Sequence, residues 1–118
     1  MTNQDITIYS GDYAELEVTV RDQDGNDVGA QGIIARYKVA RHPKMQPMIL
    51  KTLSDGVSVE EIDSTLVIKI IINPEDTVNM PSGKYYHEIE IRDSNQRPFT
   101  VMTGAMTVMP TLINSEPI

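Results

Sequence analysis

Apolar and polar positions alternate along most of this chain. The clearest run is "AELEVTVR", in which Ala14, Leu16, Val18 and Val20 fall on one face and Glu15, Glu17, Thr19 and Arg21 on the other. A period of two over eight residues predicts a strand buried on one side. A shorter alternation, with Ile6 and Ile8, precedes it across Gly11-Asp12. "GIIARYKVAR" repeats the pattern with Ile33, Ala35, Tyr37 and Val39 on one side, and "STLVIKIIIN" places Leu66, Ile68 and Ile70 inward. In that last run Val67, Ile71 and Ile72 are also apolar, so part of its second face is expected to be covered. "GKYYHEIEIRD" and "FTVMTGAMTVM" supply the two final strands, with shorter ones at "MILKTL" and Val57 to Glu60. Gly104, midway along the last strand, predicts a bulge.

Turn formers separate these runs. "DQDGND", "SDG" and "SNQRP" each read as a reversal, and "HPKMQP", with two prolines, cannot lie inside a central strand. "NPEDTVNM" has a helix start, with Asn73 as cap, Pro74 in the first position and acids in the first turn. Pro81 limits it to about two turns, near residues 74–80. About seven short strands with turns between them and one stub of helix describe an all-β, antiparallel Greek-key sandwich. It is expected to span residues 1–109, with 110–118 as a tail without periodicity.

Composition narrows the chemistry. At 118 residues one domain with its own core is expected. There are no cysteines, which removes disulfides and thiolate metal sites. The net charge of -7 argues against nucleic acid and anionic membrane as partners. The most apolar run, Leu66 to Ile72, is interrupted by Lys69 and far short of a membrane span. The amino terminus lacks the pattern of an export signal, so action in the compartment of synthesis, or in a particle assembled there, is expected.

The segment "PSGKYYHEIEI" holds the densest cluster of chemically able side chains. A tyrosine that enters a late strand of a Greek-key sandwich after a tight turn folds its hydroxyl back onto upstream backbone. Gly83 and Tyr85 fit that corner. Alternation then turns His87, Ile89 and Ile91 inward and Tyr86, Glu88 and Glu90 outward. A buried His87 requires a partner, because an unpaired ring nitrogen costs about 1 to 3 kcal/mol. General-base catalysis by His87 would need a second reactive group, and none is suggested by the sequence.

Other candidates have plainer explanations. Asp22, Asp24 and Asp27 resemble a calcium loop, but the glycine and glutamate of an EF-hand are replaced by Asp27 and Ile33, and a hairpin turn accounts for the same residues. Arg36, Lys38, Arg41, His42 and Lys44 concentrate positive charge, either as a patch for an acidic partner or as protection of an edge strand. Glu60-Glu61 and the trio Glu88, Glu90 and Asp93 read as solvated strand faces rather than paired catalytic carboxylates. Nucleophile elbows and phosphate-binding glycine loops are absent from the sequence, and no cofactor or metal ligand set is expected. Seven methionines stand out. Met102 and Met106 suit a core or an adaptable contact surface, and they join Arg36, Lys38 and Tyr86 as candidate interface residues.

Three stretches carry a family resemblance: "GDYAELEVTVRDQDGNDV", "ARYKVAR" and "PEDTVNMPSGKYYHEIEIRDSNQRPFTVMTGAMTVMP". Together they resemble the small immunoglobulin-like proteins and domains of tailed bacteriophages and prophages, including the amino-terminal domain of phage baseplate upper proteins. The likeness runs from about Asp5 to Met109, although "NDVGAQGIIARYKV" carries extra glycines relative to that pattern. It implies an immunoglobulin-like sandwich without catalytic residues, in a tail, baseplate or head-associated virion role. It also implies contacts with other virion proteins and with copies of itself, assembled in the bacterial host cytoplasm. A ligand-binding sandwich, carbohydrate-binding or adhesin-like, is the alternative. It would need exposed aromatic platforms from a chain with no tryptophan, one phenylalanine and five tyrosines.

Overall fold

The computed structural model describes residues 2–20, 32–63 and 65–112. Nine strands and one short helix occur among them. β1 (Thr2–Asn3), β2 (Ile6–Tyr9) and β3 (Ala14–Val20) come first, followed by β4 (Ile34–Ala40), β5 (Ile49–Leu53), β6 (Gly56–Ile62) and β7 (Thr65–Ile72). Helix α1 (Pro74–Thr77), β8 (Gly83–Arg92) and β9 (Pro98–Met109) complete the order. No helix among the described residues is long and apolar enough to cross a membrane. The aspartate-rich turn at 22–27 and residues 113–118 of the tail lie outside the described residues.

The strands join in one nine-stranded, hydrogen-bonded sheet that folds over as two layers around one apolar core. A front layer runs β2–β9–β8–β4–β5, with β1 continuing β2 along β9, and a back layer runs β6–β7–β3. The fold is the all-β, immunoglobulin-like sandwich expected, with one difference in strand direction. β1 and β2 pair parallel to β9, and β5 meets β6 in a short parallel contact, so the sheet is mixed. Leu16, Val18, Ile68, Ile70, Tyr37, Val39, Tyr85 and Ile89 fill the space between layers. Each such aliphatic side chain contributes about 1.5 to 3 kcal/mol by leaving water.

Three expectations are corrected by the packing. Met102 and Met106 are fully buried, so they are core residues and not contact surface. β4 lies between β8 and β5, so Arg36 and Lys38 do not guard an edge; they stand on the outer face of a central strand. Gly104 pairs in regular register with His87, and the bulge lies nearer the hairpin, where Ile89 and Glu90 face Met102 and Thr100 and Val101 is extra. The last strand is also covered along its outer edge, by β1 and β2.

Two of the crossings between layers are fastened together. At α1, Asp76 Oδ2 accepts the Asn73 amide at 2.7 Å, which satisfies a donor at the helix start. Thr77, fully buried, accepts Gly11 N–H at its hydroxyl (2.9 Å), and its carbonyl accepts the Ser10 hydroxyl (3.2 Å). The turn leading from β2 to β3 is thereby tied to the one leading from β7 to β8. Lys51 alternates inward on β5 and reaches Asp76 at 2.7 Å, both side chains largely out of water.

Candidate functional site

The residues singled out on β8 divide between its two faces. Tyr85 is fully buried and donates its hydroxyl to the Pro81 carbonyl at 2.5 Å, closing the tyrosine corner. The Arg41 guanidinium lies 4.8 Å from the centre of its ring. Gly83 sits at φ +136, which side chains rarely adopt, and a Cβ there would meet an Arg41 nitrogen at 3.1 Å. That nitrogen, Nη1, is buried without a hydrogen-bond partner among the described residues, so the ring face is its compensation.

His87 has both ring nitrogens engaged. Nε2 lies 2.6 Å from the Gln4 carbonyl, and Nδ1 lies 2.9 Å from the Tyr37 hydroxyl. A carbonyl can only accept, so Nε2 carries the proton and Nδ1 accepts from Tyr37. Burial lowers the His87 pKa from its usual 6.5, opposed by the Gln4 carbonyl and the Asp5 charge. Burial pushes the Tyr37 hydroxyl up, which keeps it protonated as a donor. A neutral imidazole with both nitrogens occupied is a structural bridge between strands. It joins β8 to β4 and to the segment linking β1 and β2.

That linking segment folds onto β9. Gln4 N–H donates to the Thr103 carbonyl at 2.9 Å, and Asp5 Oδ1 accepts the Ala105 amide at 2.8 Å. The Gln4 carbonyl passes over Gly104 so closely that a Cβ there would lie 2.0 Å from its oxygen. Close approach, and not a bulge, explains this glycine.

The other face of the same strands forms a groove of about 510 Å³. Its floor is Tyr86, half-exposed, between Ala105 on β9 and Ala40 on β4. Asn3 and Asp5 form one wall, and Pro43, Met45 and Pro47 of the β4–β5 loop form the other. The small side chains at 40 and 105 leave the depression, and the loop and amino-terminal segment raise its sides. Lys38 and Glu88 face each other across β4 and β8, and Lys84 stands 5.7 Å from the Tyr86 ring. Among the described residues no side-chain hydrogen bond or ion pair occupies Asn3, Lys38 or Glu88.

Of the candidate residues, the groove brings together Lys38, Tyr86 and Glu88, and His87 beside Gly104 also contributes to its lining. Arg36 lies one step along the face, where it and Arg92 bind Glu90 at 3.1 and 3.3 Å. The Arg36 hydrogen bond, ahead of other contributions, holds the Glu90 carboxyl below its usual range. Asp93 is occupied by the turn into β9, with Oδ1 accepting the Asn95 and Arg97 amides at 2.9 Å each. Other groove residues, among them Asn3, Asp5, Ala40, Pro43, Met45, Pro47 and Ala105, are anonymous in sequence. Only the cross-strand register, which sets Ala40 and Ala105 beside Tyr86, would have marked them. No group of three or more histidine, aspartate and glutamate side chains suited to a metal occurs among the described residues.

No family model and no curated protein matches the chain. Among solved structures it is similar to the R347E mutant of the SrpA adhesin from Streptococcus sanguinis, at 11% identity and a TM-score of 0.44, over 96% of this chain and 58% of that one. It is similar at the same identity and TM-score to a family 123 glycoside hydrolase from Clostridium perfringens, over 94% of this chain and 23% of that one. The chain thus spans just over half of the adhesin and about a quarter of the hydrolase.

Proposed function

We propose that this chain is a noncatalytic structural module of a phage or prophage virion, working through protein–protein contacts in a tail, baseplate or head-associated assembly formed in the host cytoplasm. The observation that carries the contact reading is the groove. It sets a half-exposed tyrosine, an adaptable methionine and uncommitted Lys38 and Glu88 on the outer face of the front layer. Such a mixture of an aromatic floor, apolar walls and polar rim suits a protein partner. His87, the side chain best suited to acid–base work, is held by Tyr37 and Gln4. The virion setting rests on the family resemblance in "GDYAELEVTVRDQDGNDV" and "PSGKYYHEIEIRDSNQRPFTVMTGAMTVMP". Reconstitution with purified tail, baseplate and head proteins of the same phage tests it. Co-assembly that is lost in Tyr86→Ala or Lys38→Glu is expected; no assembly with any of them would remove the proposal.

Tyr86 also favours a second reading, because a tyrosine half-exposed on the floor of a groove can stack on a sugar ring. Binding on a glycan array that disappears in Tyr86→Ala, without virion co-assembly, would replace the first reading by this one.

A further inference from the structure

The two outer faces of the sandwich differ in charge and in shape. The chain is acidic overall, at -7, yet the groove and its loop carry Lys38, Lys84 and Lys44. These three have no ion pair among the described residues, whereas Arg36 and Arg92 are taken by Glu90. The groove has two carboxylates of its own, Glu88 and Asp5, which balance Lys38 and Lys84, so the excess of positive charge on this side comes from Lys44 of the loop. On the back layer the outward residues of β3 are Glu15, Glu17 and Thr19, beside β7. Lys69 of β7 stands across from Glu17 but pairs with Glu60 at 3.6 Å, so one cation there serves three carboxylates. Glu15 and Glu17 are therefore left with surplus negative charge, next to exposed Tyr13 and Ile71. The Tyr13 hydroxyl donates to Glu15 at 2.7 Å, so an aromatic ring and a carboxylate project together.

We infer that the groove receives the Tyr13–Glu17 edge of a second copy of this chain. Tyr13 would lie against Met45, Pro43 and Pro47, and the two glutamates would approach Lys38 and Lys84. This deepens the assembly reading and rests on it. Donor and acceptor surfaces are on opposite layers, so one docking event leaves a free groove at one end and a free edge at the other. The contact is heterologous, and it yields a ring if the rotation closes or a filament if it does not. A standard interface covers about 800 Å² of each partner. That is roughly a tenth of the 7454 Å² surface here, well within one face. Because the match is electrostatic, association weakens as salt rises.

Sedimentation velocity on the full chain, over a concentration series at low and high salt, tests this. Wild type is expected to gain mass with concentration and to lose it in high salt. The groove variant Lys38→Glu/Lys84→Glu makes both faces acidic, and the edge variant Glu15→Lys/Glu17→Lys makes both basic. Each alone is expected to remain monomeric where wild type associates, and an equimolar mixture of the two is expected to assemble again. Thermal melts followed by circular dichroism establish that both fold. Should either unfold, the neutral Lys→Gln and Glu→Gln pairs take their place, with association weakened about tenfold. A wild type that stays monomeric, variants that assemble like wild type, or a mixture that stays monomeric would each overturn the inference. In all three cases co-assembly with virion proteins remains the separate measure of the broader reading.

Discussion

Replacing Gly104 by alanine adds one methyl group at the most crowded point of the fold. The backbone there has no unusual dihedral, so the cost comes from space alone. The new carbon would stand 2.0 Å from the Gln4 oxygen, 2.6 Å from its carbonyl carbon and 3.0 Å from His87 Nε2. Two of those atoms are backbone and cannot rotate away, so the segment between β1 and β2 must lift. Lifting it breaks the Gln4–Thr103 and His87–Gln4 hydrogen bonds and strains Asp5 against Ala105. At about 1 kcal/mol for the Gln4–Thr103 bond, plus about 1 to 3 for leaving a buried His87 donor unpaired, the loss is about 2 to 4 kcal/mol. For a domain of this size that lowers Tm by on the order of 10 to 20 °C. Urea denaturation measures the first quantity, and hydrogen exchange at the amides of Gln4 and Ala105 locates it. If Gly104→Ala stays within about 0.5 kcal/mol of wild type with those amides still protected, the close-approach explanation is wrong.

Other outcomes follow from the same geometry. The folded state keeps His87 neutral, with a pKa below 6.5, while the unfolded chain takes up a proton near 6.5. Stability due to this residue is therefore complete above 6.5 and falls as pH drops from there to the folded pKa, by up to about 1.4 kcal/mol per unit. Denaturation curves across pH 7 to 5 would show that slope in wild type and lose it in His87→Gln (~1.4 kcal/mol per unit at most). Glu90 and Asp93, both lowered, add a second fall only at more acidic pH, near the ordinary carboxylate values. Tyr85→Phe keeps the ring under Arg41 but strands the Pro81 carbonyl, and we expect about 1 to 2 kcal/mol lost by urea titration. Asp76→Ala removes the cap at Asn73 and leaves Lys51 without its partner, at about 3 kcal/mol, whereas Lys51→Met should cost less because Asp76 keeps the Asn73 amide; a double-mutant cycle separates the two.

Much of this architecture is legible in alternation. Leu16, Val18 and Val20, or Tyr85, His87, Ile89 and Ile91, declare their buried face because a sheet puts every second side chain on one side. The tyrosine corner is equally readable, since Pro81, Gly83 and Tyr85 lie within five residues. What sequence does not display is pairing at long range. The partners of His87 are 83 and 50 residues away, and nothing in "NQD" announces a carbonyl aimed at an imidazole. Gly104 looks the same whether it relieves a bulge or admits another backbone. Lys38 on a central strand resembles lysine on an edge, because its long side chain reaches water from either place. The groove is hidden for a related reason: its floor is built from alanines that matter for the volume they do not fill.

The parallel seam along β9 has a consequence for biogenesis. Thr2 to Tyr9 leave the ribosome about a hundred residues ahead of the strand they lie beside, Met102 to Met109. That octet must therefore wait while the other strands of the sandwich are made, with Ile6 and Ile8 lacking their native cover. A nascent chain halted before Pro98 would lack its last strand and also the place where its first belongs. Completion of the sandwich is in this sense a signal that translation has reached the end of β9.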